Sequence, residues 1–317
     1  MNELKDIFTS YWNYLPLAKA CKWNVFDSIL EGFHTEELVA QKMGWELKAT
    51  SHFLSTLEYL SVLHKVDNKY HLTEKGMVLT ESHPKSLKYA CILWSEEHLN
   101  SWQNMETTLK TGQPSFEFLY GHKFFDYISS DKDKLKIYHK AIAEYARDDY
   151  EKIADLIDLS PYGVIMDLGG GIGELLHHIR IKFPSKRLIL FDRKEVLEIS
   201  RYSDIEVLEG NFFSDIPRVA DCIFLSRVLH DWNDQDAKRI LHNVNICLPE
   251  KGSLIIVENS IDQENLPATL NLNMQIMTGS HERTEKEFRN LLEESSFTIS
   301  EIYSLNSLLK ILLCQKK

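Results

Sequence analysis

The chain has 317 residues, 44% of them hydrophobic and 26% charged, enough for one large domain or two ordinary ones with cores of their own. A net charge of -11 speaks against nucleic acid and anionic membranes as partners, since both bind basic surfaces, and suits an enzyme acting on a small molecule. Five cysteines without C-x-x-C pairing fit free thiols in a reducing cytosol, MNELKDIFTS lacks a signal-peptide pattern, and no stretch approaches the ~18 apolar residues of a membrane span, so a cytoplasmic protein is expected.

Residues 12 to about 150 are poor in strand pattern and rich in helix-period stretches. TEELVAQKMG opens on a capping candidate, Thr35, and closes on Gly44; KATSHFLSTLEYLSVL repeats apolar residues at Phe53, Leu54, Leu57, Leu60 and Leu63. Both predict short amphipathic helices. LHKVDNKYHLTEKG reads as two short strands turning at Asp67-Asn68, and helix, helix and hairpin together suggest a winged-helix unit. Its second helix offers only Lys48 as a fixed cation, beside Glu46 and Glu58, so a structural or dimerising role fits better than DNA reading. KYACILWSEEHLNSWQNMETTLKTG and DKLKIYHKAIAEYARDDYEKIADLI read as two long helices whose aromatic residues serve as core or pocket wall.

From about residue 161 strands and helices alternate: VIMDL, LLHHIRIKF, RLILFD, VLEIS, IEVLEG, DCIFLS, a helix from about 234 to 248, then GSLIIVE. Such alternation predicts an α/β fold, a mostly parallel sheet covered by helices with ligands at the carboxyl ends of its strands. FTISEIYSL and LLKILLCQ lie too close together for a joining helix and read as an antiparallel hairpin closing the sheet.

MDLGGGIGEL is strand, glycine turn and helix start, a loop whose backbone can approach a small molecule. A dinucleotide fingerprint would need its third glycine at position 174, which is Glu174, so NAD is the weaker reading. Asp192 ends the second strand of this half and is suited to accept both hydroxyls of a ribose; Asn211 and Phe212, after the third, suit an adenine edge and face. Together these residues imply an adenosine-containing cofactor without naming it. SRVLHDWND follows the apolar strand CIFL, which puts His230 at the carboxyl rim of the sheet, where a neutral imidazole can take a proton. Either Glu258, ending LIIVE, or Glu282, just before a capping box at Thr284 and Glu287, could orient that ring. The 13 histidines form no H-x-x-x-H or H-x-x-E-H arrangement, and no metal is expected.

In this order DLGGGIGE, LFD, GNFF, RVLHDWND, IVEN and GSHERTEKEF resemble the S-adenosylmethionine-dependent O-methyltransferases that include plant caffeate-type and bacterial polyketide or phenazine enzymes. LAKACKWNVFDSI, HLTEKG and TGQPSFEFLYG look like that family's winged-helix dimerisation domain and linking helices. The resemblance implies a Rossmann-like methyltransferase sheet with a C-terminal antiparallel hairpin, preceded by an all-α/winged-helix N-terminal domain. It implies three segments: a dimerisation domain over 1–85, linking helices contributing to the substrate pocket over 86–155, and an S-adenosylmethionine-binding domain over 156–317. By the same resemblance His230 is the base, flanked by Glu258 and Glu282, with Asp231 and Trp232 in its loop on the substrate side. The methionyl part of the cofactor would lie against Gly169 and Gly171, the ribose on Asp192, the adenine near Arg193, Asn211 and Phe212, and Ser226 would border the cofactor site. Tyr138, Ile142, Asn273 and Met274 match the pocket positions. The chain departs from the pattern in four places. Asn211 replaces an acid, Ser226 a lysine and Asn271 an Asp, and the helix signature FN..M reads YHKAI.

The reaction these expectations describe is methyl transfer to a hydroxyl of a small aromatic or polyketide-like molecule by a homodimer, His230 removing the proton from a phenol whose pKa is near ~10. Two rivals stand beside it. One is an N- or C-methyltransferase, or a non-methylating enzyme of the same fold that keeps the cofactor; the other is a winged-helix ligand-sensing regulator.

Overall fold

The computed structural model describes residues 2–200, 202–214, 216–261, 268–306 and 308–317. They divide into two compact units, one of the residues up to Leu99 with Lys140–Tyr145, the other of Asn100–His139 with Ala146–Lys317.

The first unit is mostly helical. Thr35 caps the helix Glu36–Met43, its hydroxyl accepting from the Leu38 N–H at 3.3 Å, and Gly44 ends it in the left-handed conformation. The next helix, Leu47–Tyr59, is capped by Glu46, whose carboxylate accepts from the Lys48 and Ala49 N–H groups. Strands β1 (Leu63–Val66) and β2 (Lys69–Leu72) pair antiparallel around Asp67 and Asn68, both at positive φ, the geometry a two-residue hairpin turn requires. Phe26, Leu54, Leu57, Leu63 and Tyr70 form its buried interior.

The single long helix expected from KYACILWSEEHLNSWQNMETTLKTG is three short ones, Lys88–Leu93, Glu97–Gln103 and Met105–Thr111. The breaks fall at small polar residues that compete for backbone groups: Ser95 Oγ donates to the Ile92 carbonyl, and Asn104 Nδ2 to that of Asn100. Apolar periodicity carries through such a break, which is why the pattern concealed it. The other expected long helix forms unbroken as Lys132–Leu156, with the Asp131 carboxylate capping its start.

The second unit carries a seven-stranded sheet of β3 (Val164–Leu168), β4 (Arg187–Asp192), β5 (Glu206–Glu209), β6 (Cys222–Ser226), β7 (Ser253–Asn259), β8 (Phe297–Ser304) and β9 (Leu309–Lys316), in the order β5-β4-β3-β6-β7-β9-β8. The first five in that order are parallel, and the C-terminal hairpin adds antiparallel to β7. Side-chain alternation sorts each strand between two cores. Met166, Leu168, Ile189, Phe191, Ile223, Leu225 and Ile256 pack with helices Asp234–Cys247 and Glu285–Glu294. Ile165, Leu188, Leu190, Phe224, Ile255 and Val257 pack with helix Glu174–Lys182. Strand order reverses at β3, and a reversal opens a crevice at the carboxyl ends of the strands flanking it. The glycine loop begins there.

Candidate active site

Leaving β3, the chain turns through Gly169–Gly173 into helix Glu174–Lys182, and the Gly169 N–H donates to the Phe191 carbonyl of β4 at 2.8 Å. One glycine is demanded by space and one by its backbone. A Cβ on Gly170 would stand 2.4 Å from a carboxylate oxygen of Asp167, and one on Gly171, whose φ is +61°, would stand 3.2 Å from His139 Nδ1. Glu174 is buried, its carboxylate accepting from Tyr202 Oη at 2.8 Å. Asp192 joins the loop to β4: one carboxylate oxygen accepts from Gly171 N–H at 2.9 Å, the other from Arg193 N–H at 2.7 Å. Burial raises its pKa to about 6 despite those bonds. Arg193 reaches away to the Phe125 carbonyl and Ser129. The Phe212 ring lies 3.3 Å from the Cβ point of Gly169, and Asn211 spends its side-chain oxygen on the Phe213 N–H. Ser226 is buried and hydrogen-bonded to Tyr150 Oη at 2.8 Å.

Past β6, Arg227 takes a left-handed backbone, φ +55°, a strained state for a residue with a Cβ, and its guanidinium is anchored on Asp149 at 2.8 Å. A tight turn over Leu229–Asp231 follows. One oxygen of Glu258 accepts from the N–H groups of Val228, Leu229 and His230 at 2.9, 2.7 and 3.3 Å, so this carboxylate holds the turn itself. The two glutamates, interchangeable in the sequence, therefore stand differently toward the ring. Glu282 takes the imidazole, its Oε1 lying 3.0 Å from His230 Nδ1, while the second oxygen of Glu258 is 3.6 Å away. Glu282 is held by Asn259, whose amide donates to Oε1 at 3.1 Å, and by Asn271, whose side-chain oxygen accepts the Glu282 N–H at 2.7 Å. An Asp at 271 could accept equally well but would add charge to an already acidic cluster.

Burial alone would lower the pKa of His230, but the charges of Glu258, Glu282 and Asp231 outweigh it and raise it to about 10. Asp231, its carboxylate 3.8 Å from Nε2, is pushed up to about 7 by burial against the opposing pull of His230. Burial likewise raises Glu258, whereas for Glu282 the His230 charge and its hydrogen bonds prevail and lower it. Nδ1 of His230 is thus committed to Glu282, while among the described residues no hydrogen bond engages Nε2. His230, Glu258 and Glu282 are also the one group among the described residues whose ligand atoms, all within 4.8 Å of one another, could share a metal ion. They come from the turn, from β7 and from the loop before helix Glu285–Glu294, so they show no metal-ligand spacing in the sequence.

Beneath the turn lies Arg283, fully buried, which the sequence reading passed over. It donates to the carbonyls of Leu229 and Trp232 at 2.7 and 2.8 Å and forks onto Asp234 at 2.8 and 3.0 Å. Asp231 and Trp232 line a cavity of about 350 Å³ together with Phe124, Phe125, Glu117 and Lys123. Phe125, also overlooked, joins two of the pocket positions, its ring 5.8 Å from that of Tyr138 and 5.9 Å from that of Trp232. Asn273 accepts from Trp102 Nε1 at 2.9 Å, Met274 is buried, and Ile142 is half-buried in the part of the long helix that clusters with the first unit.

An O-methyltransferase domain model matches residues 102–298. The chain belongs to the O-methyltransferase family. It is 28% identical to phenazine O-methyltransferase PhzM of Lysobacter antibioticus, over 97% of this chain and 94% of that protein, and 26% identical to the mitomycin biosynthesis 6-O-methyltransferase of Streptomyces lavendulae, over 93% and 88%. The crystal structure of LaPhzM superposes with a TM-score of 0.93 at 27% identity, covering 100% of this chain and 99% of that one; that of the mitomycin 7-O-methyltransferase MmcR gives 0.89 at 25%, covering 100% and 97%. The protein is an S-adenosylmethionine-dependent O-methyltransferase. No helix among the described residues is long and apolar enough to cross a membrane.

Proposed function

We propose that this methyltransferase acts on a hydroxyl of a small aromatic or polyketide-like natural product, with His230 as general base. The observation that carries the reading is the division of labour on one ring: Nδ1 is held by Glu282, and Nε2, beside the cavity-lining Asp231, has no hydrogen bond among the described residues. The aromatic wall of Phe124, Phe125 and Trp232 suits a flat acceptor, in keeping with relatives named for phenazine and for 3-amino-4-hydroxybenzoate. Those relatives are named as O-methyltransferases, which favours oxygen over nitrogen or carbon as the acceptor.

The residues around the glycine loop fit the cofactor. Gly170 and Gly171 let the loop pass close to Asp167 and His139, and two buried polar atoms there, Asp167 Oδ1 and His139 Nε2, have no hydrogen-bond partner among the described residues. When bound, S-adenosylmethionine supplies a methyl group activated by its sulfonium. Gly169 and Gly171 would hold the methionyl part, Asp192 the ribose, and Arg193, Asn211, Phe212 and Ser226 would border the rest of the site. His230 Nε2 then takes the acceptor proton while Glu282 keeps the ring in place and its charge steadies the imidazolium formed. Phe125 and Trp232 screen the acceptor from water, and Tyr138, Asn273 and Met274 complete its pocket. The chemistry calls for no metal.

We also assign residues 1–85 to dimerisation, 86–155 to linking helices and 156–317 to cofactor binding, and the working form to a homodimer. The decisive experiment is a methyl-transfer assay over a panel of phenolic metabolites with product mass analysis. A gain of one methyl group that falls about 10²- to 10⁴-fold in His230→Ala supports the reading. Undiminished turnover in that variant would remove His230 from the base role.

A further inference from the structure

One side chain beside the glycine loop has no task in the reaction described above. His139, on helix Lys132–Leu156, lies with Nδ1 3.2 Å from the point a Gly171 Cβ would occupy, so its ring stands against the loop at that glycine. Its other nitrogen, Nε2, is shielded from solvent and has no hydrogen-bond partner. Native proteins seldom leave a buried ring nitrogen in this state unless a ligand or ordered water completes it. Burial, with the Arg193 guanidinium nearby, lowers the His139 pKa to about 3, so the ring is neutral and offers one N–H. Nε2 is therefore the nitrogen with an open position to carry that N–H toward a ligand.

We propose that His139 is a cofactor-binding residue, its Nε2–H donating to the carboxylate of the methionyl group where that group lies over Gly169 and Gly171. The carboxylate is favoured over the amino group because an N–H donor needs an acceptor, which a carboxylate offers and an ammonium does not. The assignment rests on the cofactor placement proposed above. It was hidden in the sequence because His139 stands inside YHKAI, and nothing in helix periodicity brings that turn to the glycine loop.

Calorimetry on ligand-free enzyme with two probes tests it: S-adenosylhomocysteine, which has the carboxylate, and 5′-methylthioadenosine, which lacks it. His139→Ala should weaken the first about ten- to a hundredfold, the range of a hydrogen bond to a charged group, and leave the second within about twofold. His139→Gln, whose amide N–H reaches as far, should recover most of the loss. Equal weakening of both probes, or no weakening of either, overturns the proposal while leaving the methyltransferase reading intact. In wild-type protein the His139 Nε2 nitrogen resonance should shift with S-adenosylhomocysteine and not with methylthioadenosine; an unmoved resonance overturns it without any variant. Failure of the wild-type enzyme to bind either probe would sink this proposal and the cofactor placement together.

Discussion

His230 is surrounded by three carboxylates, Glu258, Glu282 and Asp231, and that excess sets its chemistry. A base must be neutral to accept a proton, and a pKa of about 10 keeps most of the rings protonated at neutral pH. The neutral fraction then grows about tenfold per pH unit below the pKa. For a hydroxyl acceptor kcat/KM should therefore climb with a slope near one from about pH 7 and level off toward 10, and a profile flat from pH 6 to 9 would contradict it. The same pKa nearly matches that of a phenol, so the proton moves almost without a free-energy step. Glu282→Gln removes one of the charges that raise His230, so the rise should shift to lower pH while the plateau falls. Since the cluster has the makings of a metal site, a chelator provides a further check: turnover should be unaffected by EDTA, and loss restored by a divalent cation would reassign Glu258 and Glu282 as ligands.

At the scale of one element, the turn Leu229–Asp231 is held from two sides by charged side chains that do no proton transfer. Glu258 gathers its N–H groups and Arg283 its carbonyls. Glu258→Ala leaves buried donors without acceptors, so it should lower both stability and turnover more than Glu282→Ala does. Denaturant unfolding of the two variants checks the order. Arg283→Met preserves bulk but strips a donor from the Leu229 carbonyl and one from Trp232, which keeps Ser280 Oγ at 3.0 Å. A loss of about 1–3 kcal/mol is expected from two weakened acceptors, the Leu229 carbonyl keeping only the Trp232 N–H at 3.3 Å, plus the broken pair with Asp234. A stability within 0.5 kcal/mol of wild type, roughly the range of a neutral surface substitution, would show that the turn holds without it.

For the whole molecule, the first unit exposes Leu4, Ile7, Phe8, Tyr11, Trp12 and Tyr59, and a groove runs between Tyr11, Trp12, Leu15, Pro16 and Tyr59. Monomers seldom leave so many large apolar side chains together in water, and a second copy of the same surface would cover them with closed twofold symmetry. Light scattering should give twice the 36.9 kDa chain mass at micromolar concentration. Replacing Trp12 and Tyr59 with Glu should lower that mass toward one chain, and a monomeric wild type would remove the dimer from the reading.

The sequence by itself determined the sheet, the glycine turn, the histidine loop and the C-terminal hairpin, because each is written in contiguous residues. Strand alternation, glycines at the end of β3, and the Thr284–Glu287 capping box are local rules with a local cause. It also brought His230, Glu258 and Glu282 onto one list. Only the tertiary structure decided that Glu282 takes the ring and Glu258 the backbone, since both end up near His230 and the choice depends on fractions of an ångström set by β7 and the turn. Arg283, Phe125 and His139 were illegible for the same reason. Each acts across distant segments, and a guanidinium, a phenyl ring or an imidazole carries no mark in sequence of the carbonyl, indole or glycine it will meet.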